Sequence, residues 1–395
     1  KKLINKNMYV ADTPFMGYAC EWSPFEATKL AVGTAQHFGV VGNGKQHVIQ
    51  VDTKGILSNK NINGNISYQL PCKILASFDT RDGIYDCCWS ESNENHLVSA
   101  CGDGKLRLWD LGSNKNPLRA YIGHNSEVYS VDWNIISKKT FLSGSWDLSI
   151  KLWDPLRGIC LSTYLGHKAV IYEVKWCPHN DTMFASTSED KFLYIWDIRK
   201  PSNNISSNNN SNNKINNGGP IMGIPAHNHE ILTCDFSKYD KNIIATGSCD
   251  TSICLWDLRK INKPLTRING HKYAVRRIRF SPHNPTELMS VSYDMNICFW
   301  DYKLGLINPL INKYSIHTEF VIGCCYNNFH KNMVATCAWD KKVCVWLNNN
   351  KNNMVNLNQA IQQKMNVFPP NNNNLSQKIL TSNNNNITEL KNNGN

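Results

Sequence analysis

The sequence lacks most of the signatures by which a chain announces chemistry of its own. No stretch reaches the roughly 18 apolar residues of a membrane-spanning helix, so no direct membrane insertion is expected. No Cys-x-x-Cys pair stands with a second Cys or His pair at zinc spacing, so no metal site is expected. No glycine-rich loop is built to cradle phosphate, since Gly102-Asp103-Gly104-Lys105 reads as a turn, and no cofactor is expected. The net charge is +11, yet there is neither a basic helix nor a dense Lys/Arg block, so the charge reads as diffuse and nucleic acid is not an expected partner. Lys1 to Val10 carry no apolar signal core, so secretion is not expected. The 15 cysteines are odd in number and sit in strand-like runs (Cys254, Cys298, Cys344) or adjacent pairs (Cys87-Cys88, Cys324-Cys325). They read as free thiols filling a core, which implies a reducing compartment.

What the sequence does have is a ruler. Five times a His is followed 23 positions later by Asp and 6 positions after that by Trp, with a hydroxyl four positions before the Asp. The sets are His124/Ser143/Asp147/Trp153, His167/Ser186/Asp190/Trp196, His227/Thr246/Asp250/Trp256, His271/Ser290/Asp294/Trp300 and His317/Thr336/Asp340/Trp346. A sixth set, Ser99/Asp103/Trp109, lacks its His. The Trp is followed by Asp except at Trp346-Leu347. A period of about 43 to 60 residues with a Gly-His start and a Trp-Asp end resembles the WD repeat, one four-stranded propeller blade per unit.

Within a unit, Val128 to Trp133, Thr140 to Gly144 and Ser149 to Trp153 read as strands, with Asp147-Leu148 at a tight turn. A first, degenerate blade spans Gly17 to Asp52, its Glu21-Trp22-Ser23-Pro24 corner matching Trp176-Cys177-Pro178 and Phe280-Ser281-Pro282. The expectation is an all-β, seven-bladed WD-repeat β-propeller over residues 1–347, with Leu3 to Thr13 supplying the outer strand of blade seven. Two Asn-rich tracts, 53–71 and 202–219, interrupt it, and an Asn-rich tail covers 348–395. Such tracts cannot bury enough apolar area to offset chain entropy and are expected to be disordered, the second of them between blades just after Asp197.

His, Asp and Ser together suggest hydrolase chemistry, but a catalytic triad occurs once per site and this set recurs. The reading is a structural tetrad in each blade: Asp holds His, His reaches the hydroxyl, and the hydroxyl reaches the indole. No catalytic residue and no enzyme activity are expected.

Function must then come from exposed faces. The residue before each turn Asp and the residues starting each innermost strand point to one common face. The first group is Gly102, Trp146, Glu189, Cys249, Tyr293 and Trp339. The second is Tyr18, Asp82, Tyr85, Glu127, Tyr129, Tyr172, Glu230, Arg276 and Phe320. Acids and aromatics gathered on one face of a basic protein suit a ligand both cationic and apolar, such as an amphipathic helix. Solvated acids beside aromatics that merely cap blade ends are the alternative reading.

Several segments are more specific than the repeat. Gly17-Tyr-Ala-Cys-Glu-Trp-Ser-Pro-Phe25, Thr34-Ala-Gln-His-Phe-Gly39, Glu127 to Trp133, Ser143 to Pro155, Ile224-Pro-Ala-His227 and Tyr273-Ala-Val-Arg-Arg277 resemble the peroxin-7 family of peroxisomal targeting receptors, blade by blade from about Gly17 to Trp346. The resemblance implies a non-catalytic cytoplasmic receptor that shuttles to the peroxisome. It implies two partners, cargo proteins bearing an N-terminal type-2 signal helix and an import co-receptor. The signal helix would carry a basic residue and an aliphatic near one end. By position, Glu127 and Glu230 match acidic residues of the family, with Asp82 and Glu189 as weaker matches, and Tyr85, Tyr129, Trp146, Tyr172, Tyr293 and Trp339 complete the expected cargo-binding set. The departures are the Asn-rich insertions, the tail and Leu347. The competing reading is a generic WD scaffold or substrate adaptor, of a ubiquitin ligase or a chromatin complex.

Overall fold

A computed structural model describes residues 8–53, 56, 72–113, 116–200, 219–304 and 309–348, which build seven four-stranded antiparallel sheets. Each sheet is one blade, and in blades one to six the strands are ordered along the chain from the innermost outward. Blade three shows why these residues make strands. Its inner strand Val128–Trp133 buries Val128, Ser130, Val131 and Trp133 between neighbouring blades, while Tyr129 and Asp132 stay half-buried. Its second and third strands, Phe141–Ser145 and Ser149–Asp154, join through Trp146-Asp147-Leu148. Leu148 takes φ 67°, a left-handed conformation awkward for a branched side chain. The Asp147 carboxylate holds that turn by accepting the Ser149 N–H at 3.0 Å. The same conformation recurs at Lys191, Thr251, Met295 and Lys341, and at Gly104 in blade two, where glycine adopts it without strain.

The ring closes by exchange. Met8–Asp12 pairs antiparallel with Lys342–Leu347 as the outer strand of blade seven, from Met8 opposite Trp346 to Asp12 opposite Lys342. That is the pairing expected of the N-terminal segment, of which residues 3–7 lie outside the described residues. The seam is sealed by a cluster drawn from both ends of the chain, with Cys20, Trp22 and Val32 of blade one against Cys325, Met333 and Val345 of blade seven.

Two boundaries differ from the expectation. Blade one does not end at Asp52, because its outer strand is Cys72–Thr80, paired with Gly44–Val51. The tract 202–219 falls inside blade four, between its third strand Phe192–Asp197 and its outer strand Met222–Pro225, and not between blades. Both tracts therefore interrupt the same hairpin, the one leading to an outer strand, where each doubling of loop length costs only about 0.6 kcal/mol. Apart from Thr53, Ile56 and Gly219, the Asn-rich tracts lie outside the described residues, as does the tail from Asn349. Among the described residues no helix is long and apolar enough to cross a membrane.

Candidate functional site: one face of the propeller

The repeated polar set is a buried relay. In blade three, His124 Nδ1 bonds the Asp147 carboxylate at 2.8 Å and His124 Nε2 bonds Ser143 Oγ at 2.7 Å. The Trp153 indole N–H donates to that same Oγ at 2.8 Å. Blade four repeats the distances, at 2.8, 2.7 and 2.8 Å, through His167, Asp190, Ser186 and Trp196. Blade five joins His227, Asp250, Thr246 and Trp256 at 3.0, 2.8 and 3.1 Å, and blade six joins His271, Asp294, Ser290 and Trp300 at 3.0, 2.7 and 2.7 Å. The last blade departs from the expectation. His317 bonds Asp340 at 3.0 Å and Thr336 at 2.9 Å, but the buried Trp346 N–H finds no acceptor, so the set is a triad. The two threonine blades give the longest indole bond and the missing one, in keeping with the restricted rotamers of a β-branched hydroxyl.

Blade two solves its missing His in another way. Thr80 occupies the His position, and Gln46 from blade one accepts the Ser99 hydroxyl at 2.8 Å while Trp109 donates to Ser99 at 2.8 Å. Asp103, freed of a His, pairs with Arg107 at 2.9 Å. Burial pushes the five His-bound carboxyls up, but the His hydrogen bond and backbone N–H donors outweigh it and hold each below the usual carboxylate range. Every tetrad His is thus committed at both ring nitrogens to holding the fold, and none is placed to serve as a base.

The exposed face has its own construction. Every innermost strand slips register by one residue near its start, at Gly17/Ala19, Ile84/Asp86, Val128/Ser130, Ile171/Glu173, Ile231/Thr233, Val275/Arg277 and Val321/Gly323. The seven bulged residues are Tyr18, Tyr85, Tyr129, Tyr172, Leu232, Arg276 and Ile322. A bulge turns one side chain out of the alternation, so these seven are re-aimed together at the channel mouth. Ring contacts trace the circle: Tyr18–Tyr85 at 5.5 Å, Tyr85–Tyr129 at 4.9 Å and Tyr129–Tyr172 at 5.7 Å. Trp146 stacks on Tyr129 at 5.3 Å. On the other side Tyr293 meets Phe320 at 4.9 Å, Phe320 meets Trp339 at 5.2 Å, and Trp339 returns to Tyr18 at 5.9 Å. Arg276 reaches across from blade six to lie 5.1 Å over the Tyr129 ring of blade three, only 2% exposed. It plugs the channel beneath the aromatics and is not a free cation of the face.

The acids occupy one arc. Asp82, Glu127, Glu189 and Glu230 belong to blades two, three, four and five. Asp82 lies beside Gly102, where an added Cβ would sit 2.6 Å from its Oδ1 and push the carboxylate aside. Burial raises the Asp82 carboxyl, and the charges of Asp103 and Glu127 raise it further against the Gly83 N–H it accepts at 2.7 Å. The Glu127 carbonyl accepts the Trp146 N–H and the Glu230 carbonyl accepts the Cys249 N–H, both at 3.0 Å, so these acids sit at equivalent points of blades three and five. Both are half-buried, whereas Glu189 is exposed. Burial first, then the charge of Glu189, pushes the neighbouring Tyr172 hydroxyl upward. The opposite arc, blades six, seven and one, is apolar, with Tyr293, Phe320, Trp339 and Tyr18.

The ten expected cargo-set residues thus cluster at this end of the channel, but Tyr85, 7% exposed, is packed into a buried cluster with Tyr18 and Ile322. Leu232 and Ile322 complete the bulge ring but are core, 5% and 1% exposed. One exposed residue beside the ring was not expected. Phe38 sits on the blade-one turn His37–Gly39, half exposed at 53%, with its ring 5.1 Å from Trp339 and φ at 58°. The Tyr85 hydroxyl donates to the Gly39 carbonyl and ties this turn to the ring. Exposed Val40 and Val41 follow it. The Thr34 to Gly39 motif was the available signal.

Beneath the ring an ionic layer fills the channel. Arg277 pairs with Asp86 at 2.9 Å, Arg279 with Glu173 at 2.9 Å, and Lys175 with Asp132 at 2.5 Å. Burial pushes Glu173 up, but Arg279, Arg277 and Lys175 hold it down at about 2. Among the described residues no cluster of His, Cys, Asp or Glu could hold a metal ion. The arrangement sets a band of acids and aromatics above a buried ionic layer.

Known proteins agree with this architecture. A model of the WD domain, G-beta repeat, matches residues 72–110 and 115–154, and one described as nucleolar protein 10-like, N-terminal domain, matches 170–341. The chain is similar to the peroxisomal targeting signal 2 receptor of Dictyostelium discoideum, at 46% identity over 143 residues, 36% of this chain and 40% of that protein. It is similar to the Saccharomyces cerevisiae receptor of the same name, at 31% over 264 residues, 63% of this chain and 66% of that one. The Homo sapiens receptor matches at 40% over 148 residues, 37% of this chain and 41% of that protein. The matched stretches span less than two thirds of these relatives' lengths. They bear out the resemblance read from the blade-one and blade-three segments.

Proposed function

We propose that this chain, a WD-repeat propeller related to the peroxisomal targeting signal 2 receptors, is itself an import receptor that captures the N-terminal type-2 signal helix of cargo proteins. It works in the cytoplasm without catalysis and shuttles with its cargo, and a co-receptor, to the peroxisome. The observation that carries this reading is the asymmetry of one face: aromatics line it all round, whereas the four acids Asp82, Glu127, Glu189 and Glu230 fall on blades two to five. An amphipathic helix with a basic residue and aliphatics has the matching polarity. Glu127 and Glu230, two blades apart, would receive the basic end. The aromatic arc would take the aliphatics, and the co-receptor would cover what remains apolar. Half-buried charge-assisted hydrogen bonds are worth about 1.5–3 kcal/mol each, enough for two of them to decide capture.

The test is a pull-down by the full chain of an N-terminal Arg-Leu-x5-His-Leu peptide against a scrambled control, with and without co-receptor. Selective capture of the ordered peptide supports the reading. Equal recovery of both, as a generic scaffold would give, contradicts it.

A further inference from the structure

Blades one and seven meet at a seam where sulfur is concentrated. The inner strands Met16–Trp22 and Val321–Tyr326 approach closely because glycines line the contact. A Cβ at Gly17 would lie 2.7 Å from Cys337 Cβ, and one at Gly323 would lie 2.6 Å from Cys337 Sγ and 3.1 Å from the Cys20 nitrogen. Across this contact Cys20 Sγ and Cys325 Sγ stand 3.6 Å apart. Both line a cavity of about 420 Å³ at the end of the channel away from the aromatic ring, together with Asp86, Arg277 and Arg279. Cys20 is 6% and Cys325 7% exposed, whereas Cys324 and Cys337 are fully buried. The receptor reading gives this pair no role.

We propose that Cys20 and Cys325 are a peroxide-responsive thiol pair whose disulfide covalently closes the propeller ring. The Cys20 thiolate attacks hydrogen peroxide, forming an S–O bond as the O–O bond breaks, and hydroxide leaves and takes up a proton to become water. Cys20 is then a sulfenic acid, oxidised by two electrons. Cys325 gives up its proton and attacks that sulfur. The S–S bond forms, the S–O bond breaks, and the oxygen departs with the proton as a second water. Two thiols and one peroxide become one disulfide and two waters, and small thiols of a reducing compartment reverse the change.

Three features fit these roles. Closing the sulfurs from 3.6 Å to about 2.05 Å is within reach of side-chain rotation. Both sulfurs line the cavity, which is large enough to admit peroxide and a small reducing thiol. Burial pushes the Cys20 thiol up, but hydrogen bonds from Cys325 and Cys337 and the guanidiniums of Arg277 and Arg279 hold it below the ordinary range, as an attacking thiol needs. Burial pushes Cys325 the other way, which suits the resolving partner. The bond would join residues 305 positions apart and staple a seam that is otherwise non-covalent.

The experiment treats the folded full chain with hydrogen peroxide, quenches free thiols, and maps disulfides by mass spectrometry without reduction. The expected result is a Cys20–Cys325 cross-link, faster migration of the denatured, unreduced chain, reversal by dithiothreitol, and a raised Tm. Cys20→Ser and Cys325→Ser should each remove the link, and Cys324→Ser should keep it. Free Cys20 and Cys325 after oxidation, a link from Cys20 to another cysteine, or a link formed only once the chain is unfolded in urea would each overturn the proposal. The mapping of the unaltered chain decides even if a variant fails to fold.

Discussion

Replacing Asp147 by Ala should cost about 1–3 kcal/mol of stability, and the structure shows where that figure comes from. The carboxylate accepts four hydrogen bonds: from His124 at 2.8 Å, the Asn125 N–H at 3.1 Å, the Ser149 N–H at 3.0 Å and the Ser149 hydroxyl at 2.6 Å. They do not count equally. Asn125 is exposed, so water replaces the carboxylate there at little cost. The Ser149 hydroxyl already stands 3.2 Å from His124 Nδ1 and can turn to it. What remains is a buried imidazole held less firmly in its tautomer and a left-handed Leu148 that has lost its anchor. Hence the loss is that of about one buried donor, not of four bonds. Urea unfolding of Asp147→Ala, Asp147→Asn and the parent at pH 7 measures it, with Asn expected to lose less because one acceptor survives. The pH dependence has a definite sign. The folded carboxyl lies below its unfolded value, so its contribution is present above about pH 4 and is lost as the pH falls further. The Ala variant should lack that component. An unchanged urea midpoint at pH 7 would refute the tetrad account of this blade.

Ala11→Pro should destabilise the ring measurably, because Ala11 faces Val343 in the strand that closes blade seven, two residues from the Thr13 N–H that donates to the Lys341 carbonyl, so its own N–H falls on the bonded side and proline cannot donate there. Melting by circular dichroism checks it, and an unaltered Tm would mean that the N-terminal strand is dispensable. Gln46→Ala should cost about 1–3 kcal/mol by stranding the buried Ser99 hydroxyl of blade two, and a neutral result would show that Gln46 does not stand in for the missing His. Burial raises the Glu21 carboxyl to about 8, so the folded state favours its protonated form. That contribution is full below about pH 4 and declines as the pH rises through 8, so Glu21→Gln should flatten the stability profile between those limits. Parallel profiles for the two proteins would show that Glu21 is already ionised in the fold.

The architecture was legible because its polar network is repetitive. The ruler from His124 to Trp153 recurs with fixed spacing, and the structure converts each spacing into a bond. Legibility failed where the ruler breaks. Blade one has no Asp–Trp pair, so neither its outer strand beyond residue 71 nor the exposed Phe38 turn could be placed. The His of blade two is replaced by Gln46, which belongs to a different blade and lies 57 positions before Asp103. The ruler measures the Trp-to-His distance and does not show on which side of the outer strand extra residues lie, so it points to a place between blades for the insertion 202–219, which lies inside blade four. On the face, chemistry was readable but depth was not. Tyr129 and Arg276 share one bulge position, yet the first presents a ring and the second fills the channel. Leu232 and Ile322 share it too, and both are core, as their apolar character suggests.

The claim that matters most is that the acidic arc receives the basic end of a signal helix. It is tested by measuring binding of the Arg-Leu-x5-His-Leu peptide, and of its Arg-to-Glu counterpart, to the parent and to a Glu127→Lys, Glu230→Lys variant, with circular dichroism of each. Glu94→Lys with Asp181→Lys, two exposed positions in the loops that follow the inner strands of blades two and four, makes the same change in net charge and controls for it. The account predicts that the folded face variant loses the native peptide, that exchanging the peptide's charge restores part of the affinity, and that the control binds as the parent does. Undiminished capture of the native peptide by the folded face variant would contradict it.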